Sequence, residues 1–241
     1  MVTLLSEAAP AKLNLFLRVV GRRPDGYHEL DSLFLPIDLC DRVTVELHPS
    51  ARRAVALAGN LGNLPTDERN LAVKAAAHFM AEFELNAEVL IGLDKLVPAG
   101  AGLGGGSSDA GSVLRMMAAL TGLDSPLRLA QLALQIGADV PFFLNPTAAR
   151  VRGIGERITP MPQPPDWPLV IAVPPIEVPT SMIFRDLKCE DWSGCARDDE
   201  LAALMSGDLT PSLFVNDLEA AAIRRFPAIG QLKNYIKNSG A

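Results

Sequence analysis

Pro98-Ala99-Gly100-Ala101-Gly102-Leu103-Gly104-Gly105-Gly106-Ser107-Ser108-Asp109-Ala110 is the stretch on which the reading of this chain turns. It follows Ala87 to Leu93, which alternates like a strand, and precedes a run from about Ser108 to Leu120 that reads as a helix stopped by Gly122. A glycine-dense loop between a strand and a helix lets backbone N–H groups close on a phosphate, and the helix N-terminus adds partial positive charge. Glycine is needed because a Cβ would block the approach and disfavour positive φ. Ser107 and Ser108 add hydroxyls that can donate to phosphate oxygens or help to place a metal ion.

Three readings of the loop compete. A P-loop ends in Gly-Lys-Ser/Thr, and this loop has no lysine there. Gly100-x-Gly102-x-x-Gly105 matches the dinucleotide fingerprint, with Asp124 at a suitable distance. That acid should end a second parallel strand, whereas Ser112 to Gly137 reads as two helices. The third reading is an idle turn, which so many glycines make costly in chain entropy.

Working outward, Leu13, Leu15, Leu17 and Val19 alternate with Lys12, Asn14, Phe16 and Arg18, the period of a strand with one buried face. Lys12 and Asn14 then project opposite the leucines. Pro24-Asp25-Gly26 signals a turn, and Tyr27 to Leu39 and Arg42 to Leu47 read as two further extended runs. Asn70 is a candidate N-cap for a helix over Leu71 to Phe83, and Ser125-Pro126 opens a helix that ends near Gly137. The proline-dense stretch from Pro160 to Pro168 reads as a stiff connection between two units, residues 1–158 and 159–241. Leu169 to Val173 reads as a short buried strand. Asn216 and Glu219 have capping-box spacing before a helix over Ala220 to Phe226, which Pro227 ends.

Composition narrows the function classes. The chain has 241 residues and 49% apolar content, enough for one large core or two small ones. Lysine plus arginine is 22 against 28 for aspartate plus glutamate, a net charge of −6. With no basic run, this is a poor grip for a nucleic-acid backbone or an anionic membrane. No apolar stretch is long enough to span a bilayer, and the first residues lack the basic n-region of a signal peptide. The three cysteines (Cys40, Cys189 and Cys195) form no metal-spaced pair, so a soluble, cytoplasmic protein is expected.

The loop Pro98 to Ala110 resembles the phosphate loop of the GHMP kinases, a superfamily that includes galactokinase, homoserine kinase and mevalonate kinase. Pro10-Ala11-Lys12-Leu13-Asn14-Leu15-Phe16-Leu17 and Arg23-Pro24-Asp25-Gly26-Tyr27-His28-Glu29-Leu30 resemble the branch that phosphorylates cytidylyl-methylerythritol. Gly137-Ala138-Asp139-Val140-Pro141-Phe142-Phe143 and Arg152-Gly153-Ile154-Gly155-Glu156 fit the same branch. The resemblance implies an α+β fold of two domains, an N-terminal ribosomal-S5-like domain and a C-terminal ferredoxin-like α/β domain. The superfamily carries a third glycine-rich motif near its C-terminus. The sequence ends at Asn238-Ser239-Gly240-Ala241, so a shortened second domain with an exposed sheet edge is expected.

The activity implied is transfer of the ATP γ-phosphoryl group to the 2-hydroxyl of 4-diphosphocytidyl-2-C-methyl-D-erythritol, a step of the non-mevalonate route to isoprenoid precursors. By resemblance, Asp139 takes the hydroxyl proton and Lys12 stabilises charge beside it. The residues support part of this: Asp139 sits among Val140, Phe142 and Phe143, where a carboxylate needs a partner, and Lys12 is a natural one. A purely structural ion pair is the bland reading. Pro98, Ala99, Gly100, Ala101, Gly102, Leu103, Gly104, Gly105, Gly106, Ser107 and Ser108 are implied to hold the ATP phosphates. Tyr27 and Phe184 are implied to stack on the cytosine and His28 to hydrogen-bond it, with Asn14 and Thr180 as further substrate contacts. Asn70 and Lys95 are candidates for the adenine side. Mg²⁺ accompanies ATP, no carboxylate ligand is identified for it, and Ser108 is the nearest candidate hydroxyl. Glu156 is either structural or part of that site. Other GHMP acceptors, such as homoserine or mevalonate, and a nucleotide-binding module without turnover are the rival readings.

Overall fold

In the computed structural model, which describes residues 3–239, two long strands open the chain, β1 (Thr3–Arg22) and β2 (His28–Pro49). The Pro24-Asp25-Gly26 turn joins them: Asp25 Oδ1 accepts from Tyr27 N–H at 3.1 Å, and Arg23 N–H donates to Tyr27 O at 2.7 Å. The remaining strands are β3 (Ala54–Ala58), β4 (Ala87–Asp94), β5 (Ala149–Gly153) and β6 (Arg157–Pro160). The helices are α1 (Leu71–Glu82), α2 (Gly105–Thr121), α3 (Pro126–Ile136), α4 (Thr180–Asp186), α5 (Asp198–Met205), α6 (Leu218–Arg225) and α7 (Pro227–Asn238).

Contacts divide the chain into two compact units, each assembled from separated stretches. The first contains residues up to Lys12, Pro36–Pro98 and Leu103–Pro146. Its sheet runs β3-β4-β2: β3 lies parallel to β4, and β4 lies antiparallel to the later half of β2, with Arg42 opposite Asp94 and Pro49 opposite Ala87. Ala87, Val89, Ile91 and Leu93 of β4 all point into the core, as period-2 alternation requires. The helix α1 buries Ala72, Ala75, Ala76 and Phe79, and α2 buries Ala110, Val113, Leu114 and Met117 in the same cluster. Asn70 caps α1: its Oδ1 accepts from Ala72 N–H and its Nδ2 donates to Pro65 O, both at 3.0 Å.

The second unit contains Leu13–Leu35, Ala99–Gly102 and residues from Thr147 onward. Here the early half of β2 pairs antiparallel with β5, Leu30 opposite Gly153 and Phe34 opposite Ala149, and β5 pairs with β6. Two buried aspartates tie its loops to the sheet. Asp31 takes a two-pronged ion pair from Arg150, at 2.8 and 2.7 Å, and also accepts from Ala196 N–H. Asp217 accepts from Val19 N–H at 2.6 Å and from both N–H and Oγ–H of Ser193, at 2.9 and 2.7 Å.

Several expectations are corrected. The extended runs on either side of Asp41 are one strand, because Asp41 finds partners for its carboxylate without a break in the ladder. Strand β1 has no open face along its centre: Phe16 and Arg18 are as buried as Leu15 and Leu17, because both sides are covered there. Leu169–Val173 is neither strand nor buried. Val170 is 93% exposed. Prolines at 168 and 174 flank the run, and no strand among the described residues pairs with it. Helix α2 starts at Gly105, three residues before Ser108, since Gly104 in left-handed conformation serves as its N-cap. Asn216 Oδ1 caps toward Leu218 N–H, but Glu219 pairs with Lys233 instead of returning to close a box. Pro227 does end α6, and it also opens α7, where its missing N–H costs nothing.

Candidate active site

In the first unit, Lys12 Nζ stands 3.4 Å from Asp139 Oδ2. The lysine side chain is 6% exposed and the carboxylate 34%, so the pair has a dry side and an open side. Lys12 is fixed by its own backbone, whose N–H donates to Leu103 O at 2.9 Å. That bond ties β1 to the glycine loop. Asp139 sits in the turn after α3, followed by Val140 and the fully buried pair Phe142 and Phe143.

Gly104 lies at the meeting point of these parts. Its φ is +72°, and a Cβ there would stand 2.9 Å from Phe143 Cζ and 3.0 Å from Lys12 Cγ. Glycine is therefore required twice, for the left-handed backbone and for the space. Gly111, about two turns further along α2, would place a Cβ 2.8 Å from Phe143 O. That close approach brings the Asp139 turn against α2. Arg115 of α2 holds the same segment by donating to Phe143 O, while pairing with Glu7 of β1 at 2.6 Å.

Beneath the loop is a charged cluster that the sequence did not reveal as a unit. Lys95 Nζ bridges Asp41 and Asp109, lying 2.8 Å from Asp109 Oδ2. Asp41 Oδ1 accepts from Leu96 N–H at 2.6 Å and Val97 N–H at 2.8 Å. The cluster thus clamps the exit of β4 to the first turn of α2, the two ends of the glycine loop. Burial pushes the Asp109 carboxyl up to about 7, against the opposing pull of Lys95 and with a further push from Asp41. Lys95 therefore faces its neighbouring carboxylates, and both amide atoms of Asn70 are engaged, Oδ1 in capping α1 and Nδ2 on Pro65 O. The one sequence signal for this clamp was Asp41, an acid inside an otherwise extended, half-buried run.

Ser108 Oγ and Asp109 Oδ1 are both buried without a hydrogen-bond partner. Ser107 and Gly106 lie in the same first helical turn. The Ser108 hydroxyl, an orphaned donor in the first turn of α2 behind Gly104 with its positive φ, fits a group rich in phosphate oxygens, whereas Asp109 Oδ1 is an acceptor and does not. Among the described residues, no group of three histidine, cysteine, aspartate or glutamate side chains could hold a metal. A magnesium ion here would draw most of its oxygen ligands from phosphates and water. Glu156 Oε2 accepts from Ile154 N–H at 2.6 Å and folds over Gly153, which gives it a structural place in its own turn.

The second unit gathers another set. His28 and Phe184 stack with ring centroids 5.4 Å apart and planes 23° from parallel. Burial, helped by the Arg22 charge, lowers the His28 pKa from its ordinary value, which favours the neutral ring. Tyr27 beside it is 61% exposed on the turn. Asn14 Nδ2 donates to Ser32 Oγ at 2.9 Å. Thr180 is exposed at the start of α4, and Ile183, not Phe184, is that helix's core residue. Trp192, which the sequence reading passed over, sets its edge against His28 at 5.9 Å. The only sequence signal for it was its rarity, as one of two tryptophans.

Among the described residues no helix is long and apolar enough to cross a membrane. Residues 70–145 match the model of the GHMP kinases N terminal domain. A 4-diphosphocytidyl-2-C-methyl-D-erythritol kinase of Ralstonia pickettii is 42% identical over 95% of this chain and 77% of its own length. One of Thermus thermophilus is 39% identical over 98% of this chain and 82% of its own length. A crystal structure of 4-(cytidine 5'-diphospho)-2C-methyl-D-erythritol kinase superposes with a TM-score of 0.79 at 38% identity, covering 98% of this chain and 84% of that one. Homoserine kinase from Cytophaga hutchinsonii, at 18% identity and a TM-score of 0.53, shares the fold. With identity of this order along almost the whole chain, this protein belongs to the 4-diphosphocytidyl-2-C-methyl-D-erythritol kinase family of the GHMP kinases.

Proposed function

We propose that this protein transfers the γ-phosphoryl group of ATP to the 2-hydroxyl of 4-diphosphocytidyl-2-C-methyl-D-erythritol. The observation that carries the reading is the Lys12–Asp139 pair, 3.4 Å apart against Gly104 at the start of α2. Phosphoryl transfer asks little covalent chemistry of a protein and much positioning and charge stabilisation. Asp139 is partly open and can take the proton of an acceptor hydroxyl at Oδ2. Lys12 is held by β1 and supplies a fixed positive charge beside that oxygen. The loop from Pro98 to Ser108 offers N–H groups and the Ser108 hydroxyl to the phosphates. Bound magnesium would neutralise phosphate charge.

Family membership and the half-buried His28–Phe184 stack support the acceptor assignment. A neutral imidazole can both donate to and accept from a pyrimidine edge, and aromatic faces suit its ring. Tyr27, Asn14 and Thr180 complete the acceptor side of the proposal. In chain order, residues 1–158 form the family's N-terminal domain and 159–241 its C-terminal domain. The family match over 70–145 lies wholly within the first.

The test is product analysis after incubation with MgATP and the cytidylyl acceptor. ADP and a singly phosphorylated acceptor are expected. ADP release with homoserine or mevalonate, but not with the cytidylyl compound, overturns the acceptor assignment. ATP binding without product under any acceptor overturns the kinase reading itself.

A further inference from the structure

Trp192 ends a short 3₁₀ turn, Cys189–Asp191, and is tethered on both sides. On one side Asp191 pairs with Arg224 at 2.7 and 3.1 Å and accepts from Lys188 N–H at 3.0 Å. The Arg224 guanidinium holds the Asp191 carboxyl down to about 2, so this tether persists across the working pH range. On the other side Ser193 gives both its donors to the buried Asp217, and Gly194 N–H donates to Val19 O at 3.2 Å. A side chain between two such anchors has little freedom to drift.

What the tethers aim is an aromatic edge. The indole meets the His28 ring at 85°, edge to face, while Phe184 covers the imidazole at 23°. The imidazole is thus boxed by one parallel and one perpendicular ring, which fixes its rotation about Cβ–Cγ. The indole Nε1 is buried without a partner.

We propose that Trp192 is a positioning residue for recognition of the acceptor's pyrimidine, holding His28 at the angle from which its ring nitrogens meet the base. This rests on the cytosine reading of His28 proposed above. A loose imidazole would lose orientation entropy on binding, and the boxed one has already lost it.

Full-length wild type, Trp192→Ala and Trp192→Phe should be titrated with cytidine monophosphate, following the His28 ring signals by NMR with labelled histidine. Michaelis constants for both substrates and thermal midpoints should be measured in parallel. The alanine variant should bind cytidine monophosphate about threefold to tenfold more weakly, the loss of one aromatic pair. Its Michaelis constant for the acceptor should rise by the same factor, with that for ATP and the turnover number unchanged. The phenylalanine variant should recover most of the binding and keep the wild-type thermal midpoint. Wild type that binds cytidine monophosphate alongside an alanine variant that binds equally well overturns this role alone. Equal rises in both Michaelis constants, or failure of phenylalanine to rescue, reduce Trp192 to a structural residue. Wild type that ignores cytidine monophosphate overturns the cytosine reading and this role with it.

Discussion

Lys12 Nζ and Asp139 Oδ2 lie 3.4 Å apart, yet they come from β1 and from the turn after α3, with most of the first unit's sequence between them. The lysine is buried and the carboxylate partly open. Replacing Asp139 by asparagine keeps the shape and removes the proposed base. Turnover should fall by about 10² or more while the ATP dissociation constant moves little. Single-turnover kinetics with measured nucleotide affinity check this, and an unchanged rate removes Asp139 from the mechanism.

Gly104→Ala tests the packing that makes the pair possible. The left-handed backbone costs about 1–2 kcal/mol with a Cβ present. The contacts at 2.9 and 3.0 Å push on Phe143 and on Lys12 itself. Both the denaturation midpoint and the turnover number should drop. A variant less stable but fully active per folded molecule would mean that Lys12 is not held by this contact.

The Asp41–Lys95–Asp109 clamp makes a prediction about pH. Asp109 has its carboxyl raised to about 7 in the folded protein, against the ordinary value of 3.8. The folded state therefore holds that proton more tightly than the unfolded chain does. The stability it contributes is complete below about pH 4 and is lost as the pH rises through about 7. The loss is of the order of a few kcal/mol. Urea unfolding at pH 5 and pH 8 should show wild type losing more stability between them than Asp109→Asn. Parallel curves would show that the clamp does not titrate there.

Tyr27→Ala should raise the Michaelis constant for the cytidylyl acceptor and leave that for ATP unchanged, since Tyr27 stands exposed beside His28. Steady-state kinetics with each substrate varied in turn decide the matter. Equal effects on both constants would place Tyr27 outside the acceptor site.

Asn70→Ala should cost about 1 kcal/mol of stability, because both amide atoms of Asn70 are engaged, one in capping α1 and one on Pro65 O. Chemical denaturation measures it. A rise in the ATP Michaelis constant with no change in stability would give Asn70 a nucleotide role in place of the capping one.

Much of this architecture was legible in residue order because its signals are local. Strand alternation in Ala87 to Leu93, the Asn70 cap, the Pro126 opening of α3 and the glycine stop at 122 all lie within a few residues of what they control. The glycine loop showed its left-handed backbone by composition, since glycine takes positive φ at no steric cost. Leu169–Val173 misled for a related reason: an apolar run becomes a strand only if a neighbour offers a ladder, and neighbours are not written locally.

The sequence alone determined which residue types are available and the local shape of many segments, such as the turn before His28 and the loop before α2. Only the tertiary structure decided that Asp41 and Asp109 share Lys95, that Gly104 leaves room for Lys12 beside Phe143, and that Trp192 reaches His28. Each of those contacts joins residues far apart in sequence. Each depends on desolvation and packing, which arise only once the chain has folded and have no signature in the spacing of residues along it.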